Sequence, residues 1–418
     1  ALRMSDPARL EPQDWMGAQA TKRVIAALSA PEAMPRFVGG CVRDALAGRP
    51  VNDIDGAPLL APDAVMGRLK AAGIKVVPTR LAHGTVTAVA DHHPFEVTTL
   101  RVDVETDGRR AKVAFTDDWT ADAARRDFTI NALSCAPDGR LYDPFGGVAD
   151  LKAGRIRFVG DARARIREDF LRLLRYFRFH AHYGREAPDA ETLAIIEQEA
   201  KELHRLSGER VRDEILKLLS APDPLPALEI MIARGVLREV LIGAFDVAVL
   251  RALMRAEPAG AAPDPLLRLA AFLEPDLAIA NGVAKRLRLS NKQTSALVAW
   301  LKPALMRNDG MPVHARWRTL RALGPDLVEG RCRLDWARGH ATGKAKPDAA
   351  FESELMAALD LAAKSFPLRG ADALKAGVPA GPRLGQLLEE TEVWWAEGGF
   401  TATRADCLRH LKGLAERD

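Results

Sequence analysis

Strand-like sequence ends early in this chain. Runs rich in Val and Thr (RFVGG, NDIDGA, IKVVPT, GTVTAVA and FEVTTLRV) all fall before residue 104 of 418, separated by Gly, Pro and Asp. A helical run, PDAVMGRLKAAG, lies between the second and third, and an amphipathic helix, TKRVIAALSA at 21–30, precedes them all. From residue 120 onward apolar residues recur three and four apart, as in DEILKLLSA, PALEIMIARGVLREVL and FESELMAALDLAAKSF. The pattern predicts an α+β chain, with a small mixed sheet first and helices thereafter. The length exceeds one ordinary core and predicts roughly two to four domains.

No apolar run is long enough to cross a bilayer, so no membrane partner is expected. The N-terminal ALRMSDPARLEPQDW has no apolar signal-peptide core, and residues 1–20 read as poorly ordered. Cys41, Cys135, Cys332 and Cys407 lie far apart without a CxxC pair, which argues against zinc and a disulfide framework. A reducing, cytoplasmic setting is expected. The net charge of +4 does not by itself imply nucleic acid, but its distribution is informative: residues 155–185 hold nine arginines and no lysine. The guanidinium fork suits phosphates and base edges, whereas lysine acts as a point charge.

The stretch GGCVRDALAGRPVNDID at 39–55 concentrates chemistry. Residues two apart on a strand point the same way, so Asp53 and Asp55 are expected on one face. Their repulsion calls for a cation, and Mg2+ prefers such hard oxygen ligands together with substrate phosphates. Gly39 and Gly40 offer amides that can cradle a triphosphate, and Arg43 follows at the start of a helix, where the dipole also favours an anion. A polar strand end and a tight strand-to-helix turn have the same residues, so neither motif decides alone. Glu96, in FEVTTLR, is a third carboxylate for the site if its strand lies beside that of Asp53; an exposed strand residue is the alternative.

Three segments follow in order: RRDFTINA at 125–132, DPFGG at 143–147 and REDFLRLLRYFRF at 167–179. With GGCVRD and NDID, and through SGERVRDE at 207–214, the chain resembles the class II tRNA nucleotidyltransferases, the CCA-adding enzymes, and their relatives the bacterial poly(A) polymerases. The resemblance is dense from about residue 36 to 225. It implies a nucleotidyltransferase head at 21–160, a helical neck with a base-recognition helix at 161–225, a body at 226–330 and a tRNA-binding tail at 331–418. The implied activity is untemplated addition of CCA to the tRNA 3′ end from CTP and ATP.

Asp169, Arg172, Arg175 and Arg178 are spaced by three, which on a helix keeps side chains on one drifting face, with Leu171, Leu174, Phe177 and Phe170 on the buried side. An ordinary salt-bridged helix has the same spacing. Bordering a cleft, such a ledge can read a base. A carboxylate accepts from the exocyclic amino group of C or A, and arginine donates to the adjacent ring nitrogen or carbonyl. Uracil or guanine would leave buried polar groups unpaired, worth up to roughly 10⁴-fold in selectivity. In this reading Asp169 and Arg172 select the base, as the resemblance also implies, while Arg175 and Arg178 support the ledge. The resemblance assigns Arg126 to the triphosphate, with Asp127 and Asn131 bracing the pocket or touching ribose.

The segment Arg101–Trp119 resembles the flexible loop used by full CCA-adding enzymes in switching from C to A; an ordinary connection is the alternative. Candidate tRNA contacts are Lys285, Arg286, Arg288, Lys292 and Arg383, all equally compatible with a solvated face. Trp394 and Trp395 read as a small C-terminal core, and His180 and His182 as helix packing. No His-Asp dipeptide occurs, so an appended metal-dependent phosphohydrolase domain is not expected. Poly(A) polymerase and a non-catalytic RNA-binding protein of the same fold remain alternatives, and a monomer and a homodimer are both compatible with the sequence.

Overall fold

The computed structural model describes residues 9–30, 33–107, 110–302 and 311–416, with the backbone alone for 103–107 and 110–112. The chain divides into two compact units, Ala1–Val240 and Leu241–Asp418. The expected head and neck both lie in the first.

The first unit is built on a seven-stranded sheet of order β3-β4-β5-β2-β1-β8-β9. The strands are β1 (Arg36–Val38), β2 (Ile54–Ala57), β3 (Lys75–Arg80), β4 (Thr85–Ala90), β5 (His93–Thr98), β8 (Ser134–Cys135) and β9 (Leu141–Tyr142). Strands β2 and β5 run parallel, and the other neighbours antiparallel. Asp91 and His92, both at positive φ, close the β4–β5 hairpin. Two helices, α2 (Gln19–Leu28) and α4 (Pro62–Ala71), bury Val24, Leu28, Val65 and Leu69 against Val86, Ala88, Phe95 and Val97 of the sheet. Each such Val, Leu or Phe side chain contributes roughly 1.5–3 kcal/mol by leaving water.

Residues 9–20 depart from the expectation of poor order. Helix α1 (Asp14–Gly17) and the start of α2 fall there, Leu10 is buried, and the Trp15 ring meets Phe37 edge-on at 4.8 Å. Their polar surroundings in sequence hid three apolar anchors, Leu10, Trp15 and Met16, whose partners lie elsewhere in the chain. Residues 1–8 lie outside the described part.

The segment Arg101–Trp119 is largely a hairpin rather than a plain loop. Its strands are β6 (Arg101–Asp107) and β7 (Arg110–Phe115), paired antiparallel. The Asp107-Gly108 dipeptide is a hairpin-turn signal, although Gly108 itself lies outside the described residues. Helix α5 (Trp119–Ala124) follows, capped by the Asp118 carboxylate, which accepts from the amides of Thr120 and Ala121.

Past β9 come α6 (Gly147–Ala153), α7 (Ala162–Glu168), α8 (Leu171–Tyr183), α9 (Ala190–Glu199) and α10 (Gly208–Leu219). Helix α8 buries Leu171, Leu173, Leu174, Tyr176, Phe177 and Phe179. Phe128 packs between this helix and the connection from α6 to α7, its ring 4.8 Å from Phe158 and 5.3 Å from Phe179. This aromatic knot fixes α8 against the RRDFTINA segment. His180 and His182 are half-buried in α8, as expected.

In the second unit the described elements are helical. Trp395 packs edge-on against Trp317 at 5.4 Å within a C-terminal core, as expected. Trp394 does not join it: the side chain is 38% exposed and stacks on His410. On a helix adjacent residues point about 100° apart, so only one of the pair can face the core. Lys285, Arg288 and Lys292 are exposed around the turn joining the helices Leu277–Arg286 and Asn291–Leu301. No helix of the described residues is long and apolar enough to cross a membrane.

Candidate active site

A cleft of about 590 Å³ opens in the first unit. Strand β1 ends at Val38, and Gly39 turns the chain into α3 (Gly40–Leu46) with φ +68°. A Cβ on Gly39 would stand 2.6 Å from Arg126 Nη1. The backbone angle is what requires glycine here; the guanidinium, the far end of a flexible side chain, would have to shift to make room for a Cβ. A Cβ on Gly40 would meet only Arg43, at ordinary contact distance.

Asp55 lies on β2 and stands in register with Glu96 on the parallel strand β5. Both line the cleft. Asp53 departs from expectation: it precedes β2, is exposed and is not among the lining residues. Strand β2 starts at Ile54, directly after Asp53, and the Asp53 charge still reaches Asp55. Burial first, then the charge of Glu96, pushes the Asp55 carboxyl up to about 6, with Asp53 adding to the rise and Arg126 and Arg43 opposing it. Such a donor set fits a divalent cation, whose charge would relieve the acid–acid repulsion. Among the described residues no three His, Cys, Asp or Glu side chains already converge as a ligand cluster.

Arg43 donates through Nη1 to Asn131 Oδ1 at 2.6 Å and grips Asp44 with Nε and Nη2. Asn131 in turn donates to Asp127 Oδ1, which also accepts from the Phe128 amide. Asp127 is buried, and burial alone would raise its pKa; the Arg175 guanidinium and the hydrogen bond from Asn131 outweigh that and hold it down. Asp127 and Asn131 thus brace Arg43 and Arg175 from beneath. Arg126 reaches the Asn131 carbonyl and Asp122.

The far rim comes from the α7–α8 junction. Asp169 is not on the recognition helix: α7 ends at Glu168, Asp169 is extended, and α8 begins at Leu171. The three-residue spacing places Arg172, Arg175 and Arg178 together on α8, while Asp169 reaches the same cleft from the break before it. Its Oδ1 accepts from the Leu171 amide and its Oδ2 pairs with Arg210 at 2.5 Å. Arg172 pairs with Glu168 and donates to the carbonyls of Arg165 and Arg125. Arg175 pairs with Asp127 at 2.6 Å and with Glu214 at 3.6 Å. Burial opposes the Arg175 charge, but Asp127 and Glu214 outweigh it and raise its pKa. Arg178 meets Glu214 at 2.6 Å, an ion pair without the angles of a hydrogen bond. There burial prevails and lowers the arginine.

Sequence reasoning missed Arg80, Arg101, Arg125 and Arg210 of the cleft lining, and Glu214, which with Arg210 lies on α10. Arg210 and Glu214 sit four apart in SGERVRDE, a helical spacing that puts both on one face, but nothing local says that this face meets α8.

The family described as the poly A polymerase head domain matches residues 35–157, and that described as the probable RNA- and SrmB-binding site of polymerase A matches 187–244. The mitochondrial CCA tRNA nucleotidyltransferase 1 of Danio rerio is 33% identical, over 90% of this chain and 86% of its own. The chain belongs to the CCA-adding nucleotidyltransferase family. A CCA-adding enzyme of Lactobacillus johnsonii is 30% identical over 88% of this chain and 90% of its own. The solved CCA-adding enzyme of Bacillus stearothermophilus in complex with CTP matches with a TM-score of 0.73 and 26% identity, covering 96% of this chain and 98% of that one. Membership makes this chain a nucleotidyltransferase, and its cleft brings together every anticipated nucleotide-site residue: Gly39, Gly40, Arg43, Arg126, Asp127, Asn131, Asp169, Arg172, Arg175 and Arg178.

Proposed function

We propose that this family member adds C, C and A in turn to the 3′ end of tRNA, using CTP and ATP and no nucleic-acid template. The observation that carries the reading is one cleft in which Asp55 and Glu96 lie on adjacent strands while Asp169, Arg172 and Arg210 stand on its rim. Relatives that are named CCA-adding enzymes, matched over nearly the whole chain, support the same substrates.

Asp55 with Glu96 beside it, and Asp53 just ahead of the strand and near enough for its charge to raise Asp55, would hold Mg2+, which when bound supplies charge neutralisation at the phosphates and a lower pKa for the attacking hydroxyl. Gly39 and Gly40 leave room for the triphosphate to approach the backbone, and Arg43 and Arg126 bind it. The tRNA 3′-hydroxyl attacks the α-phosphorus and pyrophosphate leaves. The protein contributes position and preorganised charge, as is general for phosphoryl transfer. Asp127 and Asn131 keep Arg43 and Arg175 fixed, so little reorganisation is needed when the nucleotide arrives.

The rim reads the base. The Asp169 carboxylate accepts from the amino group of C or A, and Arg172 donates to the neighbouring ring position. Arg210 holds the Asp169 carboxylate in place through its contact with Oδ2. The helical second unit, with Lys285, Arg286, Arg288, Lys292 and Arg383 as candidate contacts, would grip tRNA by backbone and shape. Four free thiols fit a reducing compartment such as the cytoplasm.

The test uses tRNA transcripts ending before, within and after CCA, with labelled CTP or ATP and magnesium. Two Cs followed by one A is the expected product. Long adenylate tails would mark a poly(A) polymerase, and no incorporation would mark a binding protein.

A further inference from the structure

A second cavity, of about 510 Å³, lies in the first unit and shares no lining residue with the nucleotide cleft. Arg49, Lys152 and Arg185 line it, together with His182 and Tyr183, and no acidic side chain does. Most arginines of the first unit are matched with carboxylates, whereas among the described residues Arg49 and Arg185 donate only to main-chain carbonyls, of His182 and of Leu151 and Lys152. A carbonyl leaves the cation's net charge uncompensated. The surroundings are positive enough to be felt by a neighbour. Burial first, and then the charges of Arg49, Arg178 and Arg43, keep His182 below its ordinary pKa, against the hydrogen bond with the Lys217 carbonyl.

We infer that this pocket binds a phosphate-group anion between Arg49, Lys152 and Arg185. A one-signed set of cations gathered around a cavity attracts an anion more strongly than cations of mixed surroundings do, even where Lys152 and Arg185 themselves are exposed. The two guanidiniums add the fork geometry that matches phosphate oxygens. The group is either a backbone phosphate of the RNA substrate or a free phosphate ion.

The pocket also touches the catalytic apparatus. The Arg49 guanidinium lies 4.3 Å over the Tyr183 ring. Tyr183 donates its hydroxyl to Asp44 Oδ1 at 2.5 Å, and Asp44 is gripped by Arg43, which lines the cleft. Holding Arg49 in place therefore steadies the support of a triphosphate ligand.

Full-length protein and the double variant Lys152→Gln/Arg185→Gln are compared in two measurements. One is the unfolding midpoint against inorganic phosphate concentration. The other is the affinity for a tRNA transcript lacking CCA, measured across a range of NaCl concentrations. Loss of part of the phosphate-dependent rise in midpoint, with tRNA binding unchanged, supports the site with a free anion as occupant. Weaker tRNA binding, with a salt slope reduced by about 1 per phosphate contact, supports it with RNA as occupant. Identical midpoint responses and identical slopes in the two proteins overturn it. Lys152→Gln alone, at an exposed position, serves if the double variant does not fold. The RNA arm rests on the proposed substrate. A wild-type chain that binds no tRNA counts against that substrate, and the phosphate arm then decides the site.

Discussion

Asp55 stands opposite Glu96 where β2 runs parallel to β5, and the Glu96 charge adds to burial in lifting the Asp55 carboxyl to about 6. The acids are held together by backbone pairing although they repel, so the fold itself stores an electrostatic cost that a bound cation would relieve.

That cost is measurable in the metal-free protein. Asp55 binds its proton more tightly folded than unfolded, so its ionisation lowers stability as pH rises from the ordinary carboxylate range, near 4, to about 6, with a constant penalty above. In EDTA, Asp55→Asn is expected to be more stable than wild type at pH 7.5 by on the order of 1–3 kcal/mol. The difference should vanish below about pH 4. Equal denaturation midpoints at both pH values would show that the carboxyl is not perturbed.

Catalysis should respond in the opposite sense. Asp53→Ala and Asp55→Ala are each expected to abolish incorporation of CTP and ATP while tRNA affinity stays within about twofold, because neither aspartate is proposed to touch the RNA backbone. Filter binding and single-nucleotide extension separate the two effects. Normal extension by either variant removes the metal from the mechanism.

Base choice should depend on Asp169 and on the residue that holds it. Asp169→Ala is expected to reduce the preference for CTP over UTP by about 10²-fold or more, since the acceptor that rejects uracil is gone. Arg210→Ala should reduce it less, by freeing the carboxylate rather than deleting it. Competition between the two triphosphates in extension assays gives both ratios.

Gly39→Ala should impair the triphosphate site without touching the acids. The backbone angle of +68° costs a side chain on the order of 1–3 kcal/mol, and the new Cβ would lie 2.6 Å from Arg126 Nη1. A raised KM for both nucleotides is expected. Gly40→Ala, which meets only ordinary contacts, is the control.

Glu214 carries a structural burden. It is buried beneath Arg175 and Arg178, and removing it leaves two largely desolvated cations short of a counter-charge. Glu214→Ala is expected to lower stability by roughly 3 kcal/mol, a typical cost for breaking a buried ion pair from one side. Thermal or urea unfolding gives the value.

Local chemistry was written into the sequence. Gly39 could be assigned to a tight turn because only glycine accepts that backbone angle, and Arg172, Arg175 and Arg178 share a helix face because three residues are nearly one helical turn. Strand-like runs and turn residues likewise announced a small sheet followed by helices. The strand start at Ile54 and the helix break at Asp169 were not legible: terminal residues have weak preferences, and neighbouring elements settle them. Nor were the pairings that make the site work. Asp169 with Arg210, Arg175 with Asp127 and Asp55 with Glu96 join residues 41, 48 and 41 positions apart. Charge complementarity allows many such partners, and only the pairing of β2 with β5, and the packing of α8 on α10 and on the RRDFTINA segment, selects among them, because burial makes every unmatched charge costly.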